Sequence, residues 1–144
     1  MLLFLDFDGV LHGLGEVRFA HLPRLEGVLR DHPPVEVVLT TSWREIQSIG
    51  RLRECFSDDL RHRVVGATPV ITDREPPYPP HRRYREVLLF LQTAGLGGRP
   101  WVALEDEHRC YPLELPNVVW CDDRKGLDDA GEARLRALLA ETRR

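Results

Sequence analysis

The chain opens on Leu2-Leu3-Phe4-Leu5 and then stops abruptly in Asp6-Phe7-Asp8-Gly9. A run this short, apolar on both faces and ended by acids and a glycine, describes a buried strand of a parallel sheet. The theme recurs along the chain. Pro23 to His32 reads as a short helix with Leu25, Val28 and Leu29 on one face, closed by Pro33-Pro34. Val35 to Thr40 is a second strand, and Arg44 to Phe56 reads as one helix with Ile46, Ile49, Leu52 and Phe56 facing inward. Val64-Val65-Gly66 is a short third strand. The segment Pro69–Pro80 holds five prolines and must be a stiff loop, because proline supplies no ladder donor and breaks helices. Tyr84, Val87, Leu88 and Leu91 keep helical spacing, with Gly95 closing that helix. Trp101–Leu104 and Val118–Trp120 are two further strands. Leu135, Leu138 and Leu139 mark a C-terminal helix that begins near Asp128 or Asp129. This alternation predicts one α/β domain over residues 1–144, a Rossmann-like sandwich with a five-stranded, mainly parallel sheet and helices on both faces.

Composition narrows the function classes. Twenty basic against 23 acidic residues give a net charge of −3, so no whole-chain field attracts nucleic acid, and any such contact needs a local patch. No apolar run approaches the ~18–20 residues that span a bilayer. The Leu2–Leu5 run has no basic lead-in and is cut off by Asp6, so a cytoplasmic, membrane-free protein is expected. Three cysteines without CxxC spacing argue for free thiols and against a disulfide framework or a structural zinc site.

The chemistry gathers at strand ends. Asp6 and Asp8, then Thr40, Thr41 and Ser42, then Glu105 and Asp106 each close a strand with polar groups that burial does not require. In open α/β sheets the carboxyl ends of the strands form the ligand crevice. Two acidic clusters meeting there repel each other. A hard cation relieves that repulsion, and oxygen-only ligands favour Mg²⁺. The hydroxyls at Thr40–Ser42 and loop N–H groups suit phosphate oxygens. Asp6 and Asp8, two residues apart, can divide the work of nucleophile and proton carrier.

These segments resemble a known family. Phe4-Leu5-Asp6-Phe7-Asp8-Gly9-Val10-Leu11 is similar to the first motif of haloacid dehalogenase (HAD) superfamily phosphatases. Val37–Ser42 resembles the second motif, and Val102–Asp106 the fourth. Thr41-Ser42-Trp43-Arg44, Arg83–Val87 and Gly126-Leu127 resemble a subgroup related to the HAD modules of Swiss army knife RNA-repair proteins. The resemblance implies Asp6 as the nucleophile that becomes aspartyl-phosphate, and Asp8 as general acid and then base. It implies Mg²⁺ on the Asp6 carboxylate, the Asp8 carbonyl and Asp106, with Glu105 acting through water. Thr40 would bind the transferring phosphoryl group, with Thr41 and Ser42 as rivals. The family's third motif is a lysine or arginine ahead of the fourth strand. Arg83 fits that place, with Arg82 as the alternative; Lys125, the only lysine, comes too late in the chain. Arg44 either binds substrate phosphate or pairs with an acid.

Other polar residues read as ordinary structure: Trp43 as packing, His12 and His108 as loop residues, and Cys121, Asp122 and Asp123 as an edge away from the metal. The segments after Asp8 and after Thr41 are too short for an inserted cap domain, so the crevice should be open, rimmed by the 11–19 and 69–80 loops. An open site points to a Mg²⁺-dependent phosphohydrolase with a macromolecular phosphate, a nucleic-acid end first and a phosphoprotein second. The competing readings are a non-catalytic phosphate- or partner-binding domain and a phospho-accepting receiver domain, which expects its aspartate after a middle strand. The sequence leaves the substrate and the oligomeric state open.

Overall fold

A computed structural model describes residues 1–73 and 75–141. Five strands form one sheet: β1 (Leu2–Leu5), β2 (Glu36–Leu39), β3 (Val64–Ala67), β4 (Trp101–Glu105) and β5 (Val118–Trp120). Their order is β3-β2-β1-β4-β5, and every pairing is parallel. The four main helices are α1 (Leu22–Asp31), α2 (Ile49–Arg53), α3 (Arg82–Thr93) and α4 (Asp129–Glu141).

Alternation along the central strands feeds two cores. Leu3, Leu5, Val37, Leu39, Val102 and Leu104 face α1, α2 and α4. Leu2, Phe4, Val38, Ala103 and Val118 face Val87 and Leu91 of α3 and the buried ring of Tyr111. The chain steps outward from β1 to β2 to β3, then recrosses the sheet through α3 to reach β4. Right-handed crossovers in opposite directions put α1 and α3 on opposite faces. Strand order therefore reverses between β1 and β4, and the crevice opens where Asp6 and Glu105 leave the sheet. Register brings these ends level: Leu5 pairs with Leu39 on one side and with Leu104 on the other.

Two apolar patterns are overridden. The segment read as one helix over 44–56 is a 3₁₀ turn at Ser42–Glu45 followed by α2. Thr41 caps the first by accepting from Trp43 N, and Ser48 restarts the chain by accepting from Arg51 N. Between them Ile46 is left 87% exposed, while Leu52 and Phe56 are buried. In α3, Leu88 is 44% exposed although its spacing points inward, and the fully buried position beside Val87 is Glu86. Gly95 stands where its sequence position predicts: it comes just after α3 with φ +70°, a conformation that only glycine adopts freely.

The correction at Ile46 has a direct test. Ile46→Ser should change unfolding free energy by less than about 0.5 kcal/mol, whereas Leu52→Ala should cost about 2–5 kcal/mol. Equal losses in urea unfolding would restore the single inward-facing helix.

Candidate active site

Asp6 is the first residue beyond β1. Its backbone N–H still donates to Leu104 O (3.3 Å), so the sheet register fixes its position, and its Oδ1 accepts from Phe7 N at 2.8 Å. The buried Phe7 then turns the chain, with Val10 N and Leu11 N both donating to Phe7 O. Gly9 has φ +75°, and a Cβ there would overlap the Asp106 carboxylate. Glycine at position 9 is thus what lets the turn after β1 close over the acidic end of β4.

At that end, Glu105 Oε1 accepts from Asp106 N (3.1 Å) and Glu107 N (3.2 Å), while its buried Oε2 receives no hydrogen bond. One carboxylate oxygen each from Asp6, Glu105 and Asp106 lie within 4.8 Å of one another. Burial pushes the Asp6 and Glu105 carboxyls well above the usual carboxylate range. At Asp6 the Glu105 carboxyl works against this and the Asp106 charge adds to it, while at Glu105 the Asp6 charge adds to it. Three acids this close cannot all be ionised without a counter-charge. An all-oxygen donor set with an unpartnered buried oxygen fits a hard divalent cation. Glu105 stands within this cluster beside Asp6 and Asp106. The Asp8 carboxylate is not part of the cluster.

Asp8 is held elsewhere. Trp43 Nε1–H donates to its Oδ2 and His12 Nε2 contacts its Oδ1, both at 2.9 Å. The backbone N–H of Phe19 points at His12 Nδ1 (3.3 Å), so Nδ1 is the acceptor and Nε2 carries the proton given to Asp8. Trp43 itself is wedged among Phe7 and Phe19, each ring centroid 5.4 Å away, with the Arg18 guanidinium 5.3 Å from its ring centroid. Trp43 and His12 are therefore more than packing and loop residues: both fix a proposed catalytic side chain.

The end of β2 sorts its three hydroxyls. Thr40 Oγ1 is buried with no partner. Thr41 is buried and acts as the cap of the 3₁₀ turn, and Ser42 is exposed. Arg44 is not available to substrate. Its Nε donates to Thr68 O, Nη1 to Thr40 O and Thr41 O, and Nη2 to Pro69 O and Glu86. These contacts engage all three of its guanidinium nitrogens, and its side chain is only 4% exposed. Of its two readings, pairing with an acid is the one realised.

Glu86 is the acid. Its Oε2 receives Arg44 Nη2 and Ile71 N, both at 2.9 Å, and its Oε1 receives Arg83 Nη1 at 2.8 Å. Arg83 is 16% exposed and turned inward. Burial pulls its pKa down, but the hydrogen bond and charge of Glu86 and the charge of Asp6 outweigh this and raise it. Arg82 is exposed and donates its Nε to Ile71 O. Of the two arginines, Arg83 is the one turned inward. Nothing in helical spacing marks position 86 as the buried acid; the one signal is an acid three residues after an arginine in a segment that must pack.

Asp123 is also displaced from expectation. β5 is an edge strand, but the loop after it folds back, with Leu14 N donating to Asp123 O and Leu127 N to Val10 O. Asp123 thereby shares a depression of about 350 Å³ with Asp8 and Asp106.

Both charge clusters can be tested through stability. Mg²⁺ in about hundredfold excess over its Kd should stabilise the protein by about 2.7 kcal/mol, read as a rise in Tm, and Asp106→Asn should remove most of that rise. A Tm indifferent to Mg²⁺ would break the shared cation site. Glu86→Gln should cost about 3–5 kcal/mol in chemical denaturation, because it leaves two buried guanidinium groups without their counter-charge.

The comparisons with known proteins agree with this geometry. The sequence model of the family described as "HAD domain in Swiss Army Knife RNA repair proteins" matches residues 2–131. No curated protein and no solved structure matches the chain significantly. The family match runs from β1 into α4 and takes in every strand that supplies the acidic crevice, so the chain belongs to this HAD family.

Proposed function

We propose that the protein is a Mg²⁺-dependent phosphohydrolase working through an aspartyl-phosphate on Asp6. The observation that carries this reading is the convergence of Asp6, Glu105 and Asp106 within 4.8 Å. A divalent cation held by these carboxylates would offset their repulsion and favour a phosphate dianion in the same crevice.

The chain's own residues supply the rest. The Asp6 carboxylate attacks phosphorus, forming an acyl-phosphate as the bond to the leaving oxygen breaks. Asp8 enters the reaction protonated and gives that proton to the oxygen, leaving a carboxylate that accepts from Trp43 and His12. It then takes a proton from the water that hydrolyses the acyl-phosphate, so Asp6 is regenerated and inorganic phosphate leaves. Thr40 Oγ1, buried without a partner, is the hydroxyl of its trio most available to a phosphoryl oxygen. Arg83, locked by Glu86, is a fixed positive charge for the charge developing on the phosphoryl group.

The substrate reading comes from the rim. Residues 6–21 after β1 and, among the described residues, 68–81 after β3 carry no further helix or strand of their own. A site without a lid buries little of a small ligand, whereas a macromolecule brings its own cover. A nucleic-acid end is the favoured substrate, in keeping with the name of the family, and a phosphoprotein is the alternative.

Turnover of aryl phosphates with and without Mg²⁺ tests the chemistry. Asp6→Asn should abolish it, and Asp8→Asn should slow it by about 10²–10⁴-fold. Trp43→Phe, which removes the donor but keeps a ring, should move in the same direction by a smaller factor. Arg83→Ala should lose more activity than Arg82→Ala. Near-normal activity in Asp6→Asn would exclude the covalent route, and phosphate binding without turnover would leave a non-catalytic binding domain.

A further inference from the structure

We propose that the leaving group lies in the depression beside Asp8 and that Asp123 selects it for positive charge, so that the substrate is a phosphoresidue of a protein segment with a basic side chain next to it. The inference rests on the phosphatase reading above and favours the second of its two macromolecular substrates over the first.

Asp8 fixes the side. It gives its proton to the leaving oxygen, so the atoms beyond that oxygen pass over Asp8. Asp8 and Asp106 line one depression of about 350 Å³, together with Glu16 and Asp123. Asp106 also belongs to the acid cluster with Asp6 and Glu105, so the depression adjoins the reacting centre. That centre is built for a ligand on grounds of its own. Glu105 Oε2 and Thr40 Oγ1, on residues 1% and 0% exposed, have no hydrogen-bond partner.

Three of the four acids in this wall are already committed. Asp8 meets Trp43 and His12, Glu16 accepts from Gly13 N at 2.7 Å and meets His21 Nε2 at 2.9 Å, and Asp106 stands in the acid cluster. Asp123 differs. It is exposed, and among the described residues no hydrogen bond or ion pair engages its carboxylate. The backbone holds it in place, with Leu14 N donating to Asp123 O at 2.8 Å. Its charge is left to act on whatever enters.

The path continues in the same chemical sense. A second depression, about 410 Å³, shares Asp106 and Asp123 with the first and adds Asp122, His108 and Trp120. Among the described residues, no arginine or lysine lines either depression. Arg82, Arg83 and Arg109 line a separate cleft that does not include Asp8. A leaving nucleotide would bring its own phosphodiester onto this acidic path, where the field repels it. A basic side chain is attracted by the same field, and the half-buried Trp120 adds an aromatic surface that cations favour.

The experiment measures kcat/KM with Mg²⁺, across a salt series, for phosphoserine peptides that differ only in one neighbour of the phosphoserine: arginine, glutamine or glutamate, on either side. O-phosphoethanolamine and a dinucleotide with a terminal phosphate complete the set. We expect about threefold per unit of charge, the scale of an exposed ion pair, and thus about tenfold from glutamate to arginine. This preference should fade as the Debye length falls from about 10 Å at 0.1 M to about 3 Å at 1 M salt. Asp123→Asn should cut the tenfold ratio to about threefold, Asp123→Glu should keep it, and Asp123→Lys should remove it. A changed ratio between substrates does not follow from a general loss of folded protein. On Asp6→Asn protein, adding Asp123→Asn should weaken binding of the labelled arginine peptide about threefold, read by anisotropy. A ratio near one, a ratio that Asp123→Asn leaves untouched, or better turnover of the dinucleotide or O-phosphoethanolamine than of the arginine peptide overturns the proposal and leaves the phosphatase standing. Asp123-dependent peptide binding without turnover of any ester supports the proposal and overturns the phosphatase. Neither turnover nor such binding overturns both.

Discussion

One buried carboxylate organises the Arg83 side of the crevice. Glu86 accepts from Arg44, Arg83 and the backbone of Ile71 with no exposure of its own. Through Arg44 it fixes the carbonyls of Thr40, Thr41 and Thr68, which end β2 and β3. Through Ile71 it pins the start of the proline-rich loop, and through Arg83 it aims a cation at the crevice. A negative charge at this depth is tolerated because two guanidinium groups and a backbone N–H meet it. Without it the end of β2, the loop after β3 and the start of α3 would have no common anchor.

The opposite side is built on aromatic packing. Phe7, Phe19 and Trp43 interlock after β1, and the indole N–H and the His12 imidazole are left with one shared acceptor, Asp8. Asp6 and Asp8 are two residues apart yet live in different surroundings. Asp6 is pressed against two other acids, and Asp8 is exposed and held by two donors. Two carboxylates in surroundings this different are not chemically interchangeable.

Between these sides lies an acidic pocket that is unfavourable in isolation. Burial and mutual repulsion raise the pKa of Asp6 and Glu105, and Gly9 removes the side chain that would keep Asp106 out. The parallel sheet imposes this closeness, since β1 and β4 are hydrogen-bonded neighbours in level register. Such repulsion favours a counter-charge, and the acids gather where strand order reverses.

The strands, their parallel sense, and the acids and hydroxyls at their ends are legible in the order of residues. Those properties are local: an apolar run of a given length and the residue that stops it record both burial and direction. Asp6, Asp8, Thr40, Glu105 and Asp106 stand out for that reason. Which polar side chains serve one another is settled by packing. The exposure of Ile46 and Leu88, the burial of Glu86, the commitment of Arg44 to backbone carbonyls and the approach of Trp43 and His12 to Asp8 all depend on partners far away in the chain or on another element. A hydrogen bond from Trp43 to Asp8 spans 35 residues and leaves no period in the sequence. An arginine reads the same whether it will meet substrate or a buried acid, because its charge is local and its partner is supplied by the packing around it.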